Sequence, residues 1–72
     1  MTLRELPVGK TSRVLGVKGE TRISKRLMEM GIVPGVEVRV IKTAPFGDPM
    51  EIRLLGYSLA IRQNEAAAIE IE

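Results

Sequence analysis

The side chains able to do chemistry in this chain are few, and they exclude more than they suggest. None of the 72 residues is a histidine or a cysteine. The commonest general base, the commonest transition-metal ligand and every thiolate are therefore missing. Carboxylates, backbone carbonyls and four methionines remain as metal ligands, a set unsuited to a tight ferrous or zinc site. Glu70 and Glu72 share a strand face near the end of the chain, where a carboxylate pair reads as solvated charge. VGKTS (8–12) contains Gly-Lys-Thr, the ending of a phosphate-binding loop. The first glycine of that loop would fall at Arg4, and no strand precedes the segment, so a turn entering a strand is expected instead. No nucleophile stands beside a base in sequence. Arg62 and Glu65 are spaced to pair across a turn at 63–66 rather than to act on a substrate. The inventory argues against an enzyme.

A second set of side chains could bind rather than react. Arg22, Lys25, Arg26 and Glu29 fall on one face of a helical pattern, with Met28 at its border. One reading is a solubilising face with a Lys25–Glu29 pair worth a few tenths of a kcal/mol. The other is a basic docking ridge, to which an exposed thioether adds an adaptable contact. Phe46, the single phenylalanine, sits in TAPFGDP (43–49), between Pro45 and Pro49 and beside Gly47-Asp48. This is turn chemistry, not core chemistry. Phe46 is either an anchor for a partner or a lid folded over an open end of the structure.

The elements that must position these residues follow from periodicity. TSRVLGV (11–17) is β-branched and bounded by glycines, as a strand is. In ETRISKRLMEMG (20–31), Ile23, Leu27 and Met30 recur at i, i+4 and i+7, which predicts a helix with Thr21 as N-cap and Gly31 as C′ residue. Ile32 would fold back on Leu27. Pro34-Gly35 marks a turn. VEVRVI (36–41) and MEIRL (50–54) alternate strictly and pair through the TAPFGDP loop. YSLAIR (57–62) follows Gly56, QNEAAA makes a tight turn or short helix, and AIEIE (68–72) is the last strand. About five short strands with one wet face each, and one helix between the first and second, predict a mainly β, SH3-like barrel forming a single domain over 1–72. Its interior is expected to hold Val14, Val17, Ile23, Leu27, Val38, Val40, Ile52, Leu54, Leu59, Ile61, Ile69 and Ile71.

Bulk properties set the class. Net charge is +2. Residues 1–36 hold seven basic and three acidic residues, and residues 37–72 hold four and six, so the first half is the basic one. The first ten residues lack the apolar core of a secretory signal, and no apolar run approaches the roughly 20 residues of a membrane span. A soluble intracellular domain is expected. One loop phenylalanine and Tyr57 make a poor stacking platform for nucleic acid.

In combination, Arg26-Leu27, Met30-Gly31, Pro34-Gly35, the Ala44-Pro45-x-Gly47-Asp48-Pro49 loop, Gly56, Leu59, Arg62, Glu65-Ala66, Ile69 and Ile71 resemble the ferrous iron transport protein A (FeoA) family along essentially the whole chain. Phe46 occupies a variable position of that pattern. The resemblance implies an SH3-like fold, reached above without it. It also implies a small cytoplasmic accessory protein of bacterial ferrous iron uptake. Such a protein would be recruited to the inner membrane face by the transporter, whose cytosolic part carries a GTP-binding domain. No cofactor, at most weak or transient ferrous iron binding, no nucleic acid, no membrane insertion and weak self-association complete the expectation. An RNA-binding barrel and a repressor-type regulatory module are the alternatives.

Overall fold

Alternating apolar and polar residues produce five antiparallel strands in one sheet: β1 (Thr11–Val17), β2 (Glu37–Thr43), β3 (Met50–Leu54), β4 (Tyr57–Ile61) and β5 (Ile69–Ile71). Their hydrogen-bonded order is β4-β3-β2-β1-β5. The structure, a computed structural model, describes residues 1–19 and 21–72, with the backbone alone at Thr21; the expected N-cap side chain of Thr21 therefore lies outside the described residues. A helix, α1 (Thr21–Glu29), stands between β1 and β2, and the QNEAAA segment forms a short helix, α2 (Gln63–Ala66). The architecture is the expected SH3-like one.

Sequence signals at the turns read directly onto the backbone. Gly31, at φ 100°, ends α1. Ile32 N–H donates to the Leu27 carbonyl at 3.0 Å and Gly31 N–H to that of Met28 at 3.0 Å. These two bonds satisfy carbonyls that a helix end leaves free, and they fold Ile32 onto Leu27 as expected. Val36 N–H donates to the Val33 carbonyl across Pro34 and Gly35. Gly35, at φ 94°, takes the third place of this turn, where a positive φ is required.

The sheet coils because β1 changes partner along its length. Thr11–Arg13 pair with β2, and Val14–Val17 pair with β5. Register shifts between Val14 and Gly16 and between Val40 and Lys42 bend both strands. A short 3-10 turn, Leu3–Glu5, packs on α2 and β5. Of the expected interior, Val14, Leu27, Val38, Val40, Ile52, Leu54, Ile61, Ile69 and Ile71 are buried. Val17, Ile23 and Leu59 are only half-buried and pack on the core from outside. Leu3, Ile32, Met50 and Ala66 complete it. No helix among the described residues is long and apolar enough to cross a membrane.

Candidate functional site

The loop between β2 and β3 is held by its own backbone. Ala44 N–H donates to the Pro49 carbonyl at 2.9 Å, and Gly47 N–H donates to the Ala44 carbonyl at 2.7 Å. Ala44–Gly47 is therefore a β-turn with Pro45 second, Phe46 third and Gly47 fourth, the proline and glycine each in a favoured place. The Asp48–Pro49 peptide is cis. The turn holds Phe46 at the tip, where it is 98% exposed. The lid reading fails, since a lid would be buried.

The loop is braced from outside by α2. Asp48 Oδ1 accepts the Gln63 backbone N–H at 3.1 Å, and the Gln63 side-chain amide donates to the Gly47 carbonyl. Asp48 thus satisfies one of the N–H groups that the start of α2 leaves without an intrahelical partner. Two residues further along, Glu65 is only 6% exposed. Its Oε1 accepts the Arg62 backbone N–H at 2.8 Å, and its Oε2 lies 3.4 Å from Nη1 of Arg26. Two expectations change here, and a third gains a partner. Glu65 meets the backbone of Arg62, not its guanidinium, because a helical first turn aims the third side chain back at the preceding N–H. Arg26 faces solvent as expected, its side chain 69% exposed, and also reaches the Glu65 carboxylate of α2. Lys25 and Glu29 form no ion pair among the described residues. Arg22 and Lys25 point to water, and Met28 is partly exposed beside them.

Among the described residues, the Glu70 carboxylate is taken up by two cationic groups. Lys18 Nζ lies 2.9 Å from Glu70 Oε1, and the Met1 amino group 3.9 Å from Oε2. The Lys18 hydrogen bond, then its charge, holds the Glu70 carboxyl below the usual carboxylate range. The Thr2 N–H, donating to Glu5 at 2.8 Å, does the same for Glu5. Among the described residues, no three of His, Cys, Asp and Glu stand close enough to hold an ion. Gly9-Lys10-Thr11 is a turn entering β1, with Lys10 N–H on the Pro7 carbonyl.

A family model described as the FeoA domain matches residues 1–72. The chain belongs to the FeoA family. It is 38% identical over 72 residues to the Fe(2+) transport protein A/Fe(2+) transporter FeoB fusion protein of Porphyromonas gingivalis, covering all of this chain and 8% of that protein. It thus spans a small part of that curated relative. Among solved structures, a FeoA-like protein of Clostridium acetobutylicum is 39% identical with a TM-score of 0.93, covering 100% of this chain and 84% of that one. FeoA of Stenotrophomonas maltophilia, solved with zinc and described as an SH3 domain protein, is 33% identical with a TM-score of 0.89, covering 100% and 89%.

In this FeoA chain, Phe46 and Arg26 are remote in sequence, yet α2 connects them. Gly47, Asp48 and Pro49 shape the loop, while Gly31, Pro34, Gly35 and Gly56 shape turns elsewhere. Gln63 was missed by sequence reasoning. Its only local signal is its place at the start of a short helical turn, which says nothing about the distant loop it holds.

Proposed function

We propose that this chain is a non-catalytic docking module for the cytosolic part of a ferrous iron transporter. It acts on the transporter's inner-face GTP-binding domain through Phe46 and the basic surface of Arg22, Lys25 and Arg26, with the Met28 thioether at its border. The observation that carries the reading is a large aromatic side chain held fully in water by a turn closed on itself and braced by a helix. Loss of disorder on binding is small for such a loop, so its burial energy is retained. The FeoB fusion in a relative supports the choice of partner, because two activities joined in one chain work side by side. Lack of His and Cys supports a role in contact rather than chemistry.

The test is a titration of the chain against the isolated cytosolic domain of a ferrous iron transporter, with and without bound guanine nucleotide, at rising salt. Binding should weaken as salt rises. Arg22→Glu with Lys25→Glu should slow association while the fold persists, since both side chains are exposed. Salt-independent binding together with a normally binding double variant would remove the basic surface from the site.

A further inference from the structure

The outer face of the sheet carries three cross-strand rows of charge, and the middle one is paired the wrong way. In the row on one side, Arg13 faces Glu37. On the other side, Lys42 faces Glu51, with Nζ 3.9 Å from Oε1. Between them, Arg39 of β2 faces Arg53 of β3, flanked by Thr11 and Ser58. Directly opposed side chains have Cβ atoms roughly 4.5–5.5 Å apart, and like charges there destabilise a sheet. Both arginines are exposed, and neither guanidinium takes part in a hydrogen bond or ion pair among the described residues.

A second local rule is broken at the end of the same groove. Leu55 and Gly56 form the two-residue turn joining β3 to β4, and both have positive φ, 50° and 82°. Asparagine, aspartate or glycine suits the first place of such a turn, and leucine does not. Leu55 is nevertheless there, and 68% exposed. It lines a shallow groove with Thr11, Glu37, Arg39, Arg53 and Gly56. A strained apolar residue beside two unrelieved cations marks a place where stability is given up for something else.

We propose that this groove is a docking site for an extended acidic segment of a protein partner, with a carboxylate between Arg39 and Arg53 and an apolar residue two positions along, on the same face of the segment, against Leu55. A carboxylate can accept from two guanidinium groups at once and relieve their repulsion. A peptide suits the groove better than a phosphate. Leu55 offers apolar contact that a phosphate cannot use, and Glu37 at the margin opposes a dianion more than a single carboxylate. The site lies toward the opposite end of the β2–β3 hairpin from Phe46, so it stands or falls independently of the loop.

The test uses the full chain, labelled with nitrogen-15, and an acetylated, amidated Leu-Ser-Glu-Ser-Leu peptide as probe, whose leucines and glutamate share one face when extended. Amide shifts should concentrate at residues 37–39 and 53–56, and the Leu-Ser-Gln-Ser-Leu peptide should bind at least about tenfold more weakly. Arg53→Glu places a carboxylate opposite Arg39, so it should raise Tm while weakening peptide binding at least about tenfold. Leu55→Asn should also raise Tm and weaken binding. Shifts centred elsewhere, or unchanged affinity in Arg53→Glu, would overturn the site. A lower Tm in Arg53→Glu would overturn the claim of unrelieved repulsion. Inorganic phosphate moving the same amides at lower concentration than the glutamate peptide would overturn the choice of ligand.

Discussion

Phe46→Ala separates folding from binding more cleanly than any other change in this molecule. A phenylalanine offers about 150–250 Å² for burial, worth roughly 4–6 kcal/mol at about 25 cal/mol per Å². Phe46 is 98% exposed, so folding collects about a fiftieth of that, on the order of 0.1 kcal/mol. The variant should therefore unfold within about 0.5 kcal/mol of the wild type in urea. Burial in a pocket on the transporter domain would collect most of the remainder. After ordering and desolvation losses, about 2 kcal/mol or more should be left as lost affinity, roughly a thirtyfold rise in Kd. Denaturant midpoints and titration calorimetry on the same two proteins measure both quantities. A stability loss near 3 kcal/mol, the cost of emptying a buried aromatic site, would refute the reading of Phe46 as an exposed tip. Wild-type affinity in a folded variant would refute the anchor.

The other expectations concern the frame and its ions. Gly31→Val forces a β-branched residue to φ 100°, with its Cβ 3.2 Å from a Leu55 methyl and 3.3 Å from the Tyr57 hydroxyl; it should cost more than about 1 kcal/mol in denaturant unfolding, and an unchanged midpoint would contradict the helix-end geometry. Glu65→Ala leaves the Arg62 N–H without its acceptor and should cost about 2 kcal/mol, whereas Arg26→Ala breaks only a pair whose arginine is solvated and should cost less than about 1 kcal/mol; equal costs would show that the ion pair, not the backbone bond, dominates. Glu5 and Glu70 both have carboxyls held low in the folded state, so their stabilisation is complete above the ordinary glutamate range and is lost as pH falls below about 4.3. Thermal melts across that window should show a shallower acid slope for Glu70→Gln than for wild type, and identical slopes would count against the Lys18 contact. Calorimetry with ferrous iron under anaerobic conditions, and with zinc, should show only weak binding; a stoichiometric site of micromolar affinity or better would show that carboxylates and carbonyls suffice.

How much of this was legible in the sequence depends on the range of the interaction. The Gly31 helix end, the Pro34-Gly35 turn and the alternation of β2 and β3 are local, and each appears where the residues place it. Val17, Ile23 and Leu59 have the right period but stay half-buried, because a coiled five-stranded sheet has too small an interior to enclose every inward position. Leu3 is buried without any periodic signal, since a three-residue turn is too short to have one. At the site, the turn chemistry around Phe46 was readable, but its exposure was not: anchor and lid share one sequence pattern. Arg26–Glu65 and Gln63–Gly47 join segments 39 and 16 positions apart, and the charge pattern of α1 alone offers only a Lys25–Glu29 pair and says nothing of a partner for Arg26.

The short helix α2 holds the Phe46 loop through Gln63 and the basic helix through Glu65, with a single residue between the two grips. A partner that seizes both the loop and the helix therefore pulls on one shared lever. Contributions from the two surfaces cannot be separable parts of the affinity: a change that slackens either grip alters what the other surface is worth. In a double-mutant cycle, Phe46 and Lys25 should show a coupling energy despite belonging to different segments, and Gln63→Ala should reduce that coupling toward zero while removing no residue of either surface. Through the helix, two weak footholds would behave as one cooperative unit.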